Sequence, residues 1–498
     1  VSGYDPTNAT SVLDLQPILR AEGEAPIIPR SDGLWRIAPA YAGIFAALPL
    51  LDRLGVWLGR DVAGGGPVRA GLGWTAASAV LAALACYGLL YAPPALWGYR
   101  SGRKLATTSA SAFGTLGAEW LTGVGVALGA IVSYAVALHM ALRLVFLGLV
   151  SCGLISPAML QPMTLGPIVV ESPVFVVTAA FWIFITGMAA VLRLPSVIFA
   201  LMQVYTPVAL VLLSATAALV AGGLPAFIHE AASSAGSAPG PASGLGEGPA
   251  GVFQILFGGF AFSGLFAVEW GMAAGGRRDI RIGGGLGVAL AGSLATVLAI
   301  AIVAGALGRE EVGPHDPFPA VDVLTAPFSL HWAILHGVGG KLGGAILMLF
   351  GLASLAPAVY AAWAYGKRLR DHWPALNRFR WTWVGSAPAF ALVATSWAGR
   401  LETIFGLMGA VFAPMVGVLA ADAVRWRLHW GGLRPGWHMP GLVAWACGLV
   451  AGLALRGRAE PASLLAYLTA AAVYLALTAV LPPRPLLAAE SIRQSMEL

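Results

Sequence analysis

The residues of this 498-residue chain that could do chemistry are scarce and sit in apolar surroundings. Glu269 lies in Phe266–Ala267–Val268–Glu269–Trp270, where a carboxylate serves as a gate or a proton site, or else pairs with Arg277 or Arg278 at an interface. Asp52 and Arg53 close the first long apolar run, either as an outer gate or as an interfacial ion pair. Glu119 reads as interfacial, His139 as a titrating group or a satisfied histidine, and Asp422, next to Arg425, as structural. Ser354 precedes Pro357 in an otherwise apolar helix. A hydroxyl there, with carbonyls freed by the proline, supplies the oxygen donors a hard cation takes; the alternative is a serine bonded to its own turn. The chain holds no HExxH or GxSxG in a suitable setting, and its three cysteines lie far apart without metal spacing. Neither an enzyme nor a bound cofactor is expected.

Two runs look like discontinuous helices. Ala38–Pro39–Ala40–Tyr41–Ala42–Gly43–Ile44–Phe45–Ala46–Ala47–Leu48–Pro49 carries prolines at both ends of a small-residue stretch, and Phe257–Gly258–Gly259–Phe260–Ala261–Phe262–Ser263–Gly264 holds three glycines. Glycine makes unwinding cheap and proline removes a hydrogen bond. Interrupted helices at matching places in two halves of a chain point to a transport site at the bilayer midplane. Small residues also serve close helix packing, which is the other reading of each run.

The elements that must position these residues are transmembrane. Hydrophobic residues make up 58% of the chain and charged residues 10%, against roughly a quarter charged in soluble domains. A transmembrane helix takes about 20 apolar residues. Twelve spans are predicted, near residues 36–58, 71–96, 117–143, 172–192, 195–222, 251–275, 282–307, 341–366, 381–398, 402–424, 439–456 and 461–481. Residues 144–171, with Pro157, Pro162 and Pro167, read as an interfacial excursion, or as a thirteenth or re-entrant segment. Residues 223–250 read as a flexible extracellular loop and Gly275–Gly285 as a loop. Long continuous apolar runs exclude a β-barrel, and the fold class is an all-α polytopic membrane protein. Most of the 29 Lys and Arg fall on one side of this topology, which places both termini in the cytoplasm. The polar residues 1–34 and 482–498 then form a cytoplasmic N-terminal segment, with no cleavable leader expected, and a cytoplasmic tail. The net charge of +6 reflects these loops, and no nucleic-acid partner is expected. The partners are the lipid bilayer and a small molecule; the oligomeric state is open, and a monomer suffices.

One further set of residues carries a resemblance. Ser101-Gly102-Arg103-Lys104 leads into Ala112-Phe113-Gly114-Thr115-Leu116-Gly117 before span three. Met202-Gln203-Val204-Tyr205-Thr206-Pro207 lies in span five, Phe257–Phe260 followed by Glu269 in span six, Ser354–Pro357 in span eight, and Phe405–Arg427 in span ten. In order and spacing, over about residues 30–430, the chain resembles the nucleobase–cation symporter-1 transporters, the group of cytosine, allantoin and hydantoin permeases. The resemblance implies a five-plus-five inverted-repeat core of the leucine-transporter type, with repeats at 35–222 and 251–425 and two extra helices at 426–481. It implies alternating access of a small planar nitrogen heterocycle across a bacterial cytoplasmic membrane, coupled to sodium or protons.

By the same resemblance the substrate is sandwiched by aromatic rings of helices three and six. The helix-six ring matches Phe260, after Gly259. In helix three the matching positions hold Val132 and Val136, with Tyr134 the nearest ring. Substrate amide positions hold Ala47 in helix one, near Gly43, and Tyr360 in helix eight. A sodium ion would take carbonyls around Gly43 and Ala46, with Gly351 and Ser354 of helix eight, where Leu355 replaces a hydroxyl residue. On this fold an amino-acid or organic-cation transporter is the first rival, with Asp52 or Glu269 receiving an amine; a non-transporting sensor or subunit is the second.

Overall fold

The computed structural model describes residues 72–165, 168–192, 195–234, 247–309 and 329–481. The expected first span, with Gly43, Ala46, Ala47 and Asp52, lies outside them. Helices occupy each expected span from the second onward. They are span two (Leu72–Ser101), three (Leu105–Ser151), four (Pro173–Val191), five (Pro195–Val220), six (Glu247–Ala273), seven (Arg277–Leu307), eight (Gly340–His372), nine (Arg378–Ala394), ten (Leu401–Arg425), eleven (Met439–Leu455) and twelve (Ala462–Val480). Among the described residues, nine helices are long and apolar enough to cross a membrane. Local chemistry sets their ends. Gly102 closes span two in the left-handed conformation, φ 65°. Ser172 caps span four by accepting from the Phe175 N–H, with Pro173 in the first turn, and Asn377 caps span nine through the Arg380 N–H.

Several irregularities recur in corresponding spans of the two halves. Spans two and seven each contain a π-turn, at Cys86–Tyr91 and Gly285–Leu290. Span three is broken at Gly114 and span eight at Ser354. Spans five and ten each carry one proline near the middle, Pro207 and Pro414. This pairing of two with seven, three with eight and five with ten is the order an inverted repeat requires.

Four expectations need correction. Span six is one unbroken helix through Gly258 and Gly259. A Cβ on Gly258 would lie 2.8 Å from the Phe405 carbonyl, and one on Gly259 3.0 Å from the Phe405 ring, so these glycines admit span ten rather than unwind the helix. Residues 144–151 continue span three, since the first proline comes only at 157; beyond them stand a short 3₁₀ turn (Pro157–Leu160) and the hairpin Met163–Leu165 with Ile168–Val170, paired Met163 to Val170. Among the described residues of this stretch, none beyond 151 forms a helix longer than the 3₁₀ turn. The expected loop at 223–250 is helical over Leu224–Ser234. The run Gly275–Gly285 is helical from Arg277, because Gly276 is extended and starts a new helix.

The helices pack in two groups. Span six lies against two, ten and, with them, seven and twelve. Gly98 of span two meets the Val268 backbone, and Gly271 of span six meets Ala95, so these backbones nearly touch. Spans three, four, eight and nine form the second group. There Gly148 and Gly344 interlock three with eight, and Gly351 sits where a Cβ would be 2.7 Å from the Ala141 carbonyl. Between the groups spans six and eight do not pack backbone to backbone; long side chains bridge them.

Candidate functional site

The seam between the groups is lined by one stripe of span six. Phe262, Phe266 and Trp270 recur at four-residue spacing, which stacks them on one helix face. Phe262 and Phe266 are 5.3 Å apart at nearly a right angle, and Phe266 stacks on Trp270 at 6.3 Å. Across the seam Tyr360 of span eight meets Phe266 edge-on at 6.0 Å and accepts a hydrogen bond from the Trp270 indole N–H at 3.4 Å. Phe412 of span ten lies 5.0 Å from Phe262. Opposite both rings is Gly129 of span three, where a Cβ would come within 2.6 Å of each. A side chain there would displace both rings, and glycine is what lets the ring pair reach span three.

One turn nearer the end of span six, Glu269 accepts a hydrogen bond from Arg368 Nη2 at 2.7 Å across the seam, with both side chains nearly buried. The same guanidinium donates through Nη1 to the Thr122 carbonyl of span three at 3.3 Å and lies 5.2 Å from the Phe266 ring. The second carboxylate oxygen, Oε2, is buried without a hydrogen-bond partner. Lys367 lies 5.9 Å over Trp363. On the same end of the bundle His372 of span eight pairs with Glu119 of span three at 2.9 Å, inside the second group.

At the other end of span three's group, between the spans, Glu171 Oε1 accepts from the Ser396 hydroxyl at 2.8 Å. Burial holds its carboxyl above the usual range, partly offset by Ser396 and by the charge of Arg143.

The residues expected from sequence separate. Tyr360 and Glu269 face the seam. Phe260 is fully buried, two residues and about 200° of helical turn from Phe262, on the opposite face. Gly259 packs on Phe405. Tyr134 is turned into the second group, its hydroxyl on Thr186 Oγ1 at 2.7 Å and its ring 5.8 Å from Tyr365, so it does not line the seam. Gly351 is a packing contact with span three. Ser354 is buried at the helix break, donating to the Phe350 carbonyl at 2.8 Å, with the Tyr205 hydroxyl as a second partner. Arg277 and Arg278 do not take Glu269; Arg368, expected as a loop charge, does. His139 is buried 5.3 Å from Phe175. Phe262, Phe266, Trp270, Arg368 and Gly129 were missed. The four-residue aromatic spacing was visible in the sequence, but nothing there said which face of a uniformly apolar helix looks into the seam.

Asp422 is fully buried and accepts from Ser111 at 2.5 Å and Tyr474 at 2.6 Å. Arg434, expected in an exposed basic loop, is 1% exposed and donates to His438 at 2.8 Å. His438 in turn reaches the Ala112 carbonyl at 2.8 Å. Residues 434–438 bond to the backbone of the broken helix, Thr115 N–H to the Arg434 carbonyl at 2.8 Å and His438 N–H to the Phe113 carbonyl at 2.9 Å. Gly114, at φ 80°, makes that approach possible.

No protein-family model matches the sequence, and no curated protein matches it. Solved structures do match. Mhp1, a nucleobase-cation-symport-1 family transporter in a closed conformation with bromovinylhydantoin bound, is similar over 96% of this chain and 99% of its own, with 15% identity and a TM-score of 0.63. A Na⁺-coupled sialic acid symporter in a substrate-bound outward-open state is similar over 96% of this chain and 97% of its own, at 11% identity and a TM-score of 0.54. MhsT in complex with L-phenylalanine covers 90% of this chain and 97% of its own, at 15% identity and a TM-score of 0.53. The chain has the leucine-transporter-type fold. In this fold the described chain is an all-α, multi-pass membrane protein, and its two helix groups meet at the aromatic seam.

Proposed function

We propose that the chain is a secondary active transporter that imports a small planar nitrogen heterocycle, of nucleobase, hydantoin or allantoin kind, by alternating access. The observation that carries this reading is the seam itself. Two internally close-packed helix groups meet through side chains, and those side chains are flat rings with few polar atoms: Phe262, Phe266, Trp270, Tyr360 and Phe412. Groups that pack this way rock as units, and rings spaced for stacking suit a flat ligand. The bromovinylhydantoin bound by Mhp1 is such a ligand. The binding residues assigned here are Phe262, Phe266 and Tyr360, with Gly129 leaving room for the rings. Repeats at 35–222 and 251–425, a bacterial cytoplasmic membrane with both termini inside, and no catalytic role complete the reading.

Transport is driven by an ion, sodium or a proton. For sodium, the described part of the donor set is Ser354 and the carbonyl of Ala353, which Pro357 leaves without its helical donor. Gly43 and Ala46 would supply the rest. The test is uptake of radiolabelled uracil, cytosine, hydantoin and allantoin into vesicles holding the protein, with sodium and with choline in its place. Accumulation of at least one above empty vesicles is expected. Uptake equal to empty vesicles for all four overturns the substrate class, and uptake indifferent to choline removes sodium.

A further inference from the structure

The seam-crossing pair between spans six and eight has a feature that close packing does not explain. Glu269 spends one oxygen on Arg368 and leaves Oε2 buried with no partner. Arg368 is differently placed: it also holds the Thr122 carbonyl and the face of Phe266. If the two groups part at this end, Arg368 keeps the Thr122 contact within its own group. Glu269 keeps nothing, and an unpaired carboxylate remains beside Phe266 and Trp270 of its own helix. A buried charge without its partner is strongly unfavourable, whereas the neutral acid is tolerated.

We propose that Glu269 and Arg368 form a proton-released latch, in which a proton taken up on the Glu269 carboxylate frees Arg368 and lets the seam open at this end of the bundle. The step is a proton transfer from a hydronium ion of the solvent to a carboxylate oxygen, leaving water, with Arg368 remaining a cation. Oε2 is the oxygen open to protonation while Oε1 is still held. The proposal rests on the transport reading and names the proton as the coupling ion.

The charged and titratable groups facing Glu269 come from few spans. Span eight brings Arg368, Lys367 and Tyr360, with Asp371 one turn beyond. Span two brings Tyr91 against Trp270. Glu119 Oε1 on span three lies 2.9 Å from His372 Nδ1, and Asp422 on span ten is held by Ser111 and Tyr474. Arg277, Arg278 and Arg281 at the start of span seven are exposed. Among the described residues, therefore, Glu269 is the carboxylate whose ion pair crosses between span six and span eight.

The experiment needs no substrate. Spin labels go on Arg278→Cys and Ala375→Cys, exposed positions at this end of the two groups, with Cys86, Cys152 and Cys447 replaced by serine. Their distance is read by pulsed electron resonance in nanodiscs at neutral and acid pH. The latch predicts a population lengthened by roughly 5 Å, the scale of a one-turn rearrangement, that grows on acidification of the otherwise native chain. In Glu269→Gln it is present at both pH values, and in Glu269→Asp it still responds to pH. A distance that ignores pH in the parent chain overturns the latch, as does a pH response that survives in Glu269→Gln. The parent chain alone decides the first outcome even if a variant fails to fold. Heterocycle uptake with a pH-indifferent distance removes the latch and leaves the transporter; a pH-driven opening without uptake leaves the latch and removes the substrate class.

Discussion

Two buried carboxylates, both near the ends of long helices, are treated in opposite ways. Asp422 has each oxygen satisfied by a hydroxyl and stands beside an arginine–histidine pair that is bonded to the backbone of the broken third span. Glu269 has one charged partner and one empty oxygen, and its partner belongs to the other helix group. A carboxylate with both oxygens satisfied is held in one arrangement; a half-satisfied one is not. The first ties the 105–117 helix, span ten and span twelve into a fixed unit. The second sits where the molecule has to come apart.

Breaking the fixed network has the largest expected effect. Asp422→Ala removes the acceptor that Ser111 and Tyr474 share, leaving the Tyr474 hydroxyl no acceptor beside a buried Arg434, and should cost about 3–5 kcal/mol or prevent folding, as losing one member of a buried charged network does. Glu269→Gln, by contrast, keeps the shape but gives up the charge-assisted bond to Arg368, and should cost about 1.5–3 kcal/mol. Thermal unfolding in detergent compares the two, and equal losses would dissolve the distinction between clamp and latch.

Gly129→Ala tests the seam sterically. The added methyl meets the rings of Phe262 and Phe412, which must shift, at about 1–3 kcal/mol for overpacking. Uptake of the heterocycles should fall at least tenfold with the protein still folded. Undiminished uptake would move the ligand away from this stripe.

The smallest effect concerns Glu171, at the end opposite Glu269. Its folded-state carboxyl is held above the ordinary value by burial. The folded state therefore binds its proton before the unfolded state does, so folding stability falls as pH rises from the ordinary carboxylate value through the raised one. Glu171→Gln should remove that loss: the variant gains on the parent at neutral pH, and the difference shrinks on acidification. The melting temperatures of both proteins across acid to neutral pH check the sign. Its effect should be confined to stability, unlike that of Glu269, which should also change the distance across the seam.

How much was legible differs by kind of residue. The spans from the second onward were legible because a bilayer demands long apolar runs. The glycines at 258 and 259 were legible as an anomaly and misread in kind. A gap in side-chain volume looks the same in sequence whether the helix unwinds or a neighbour fills it, and here Phe405 fills it. Glu269 was singled out because an intramembrane acid is costly, yet its partner was not Arg277 or Arg278, the nearest in sequence, but Arg368. Arg434 was counted as a loop cation and is buried, since charge alone does not say that a loop folds back onto a broken helix.

Composition and the length of the apolar runs by themselves determined the class, the span order and the scarcity of charge, because those follow from the solvent in which the chain must live. Which face of span six looks into the seam, which arginine meets Glu269 and which glycines are contacts were decided only by tertiary packing. In a helix apolar on every side, burial supplies no period, and the partner across a gap is set by how two groups of helices dock.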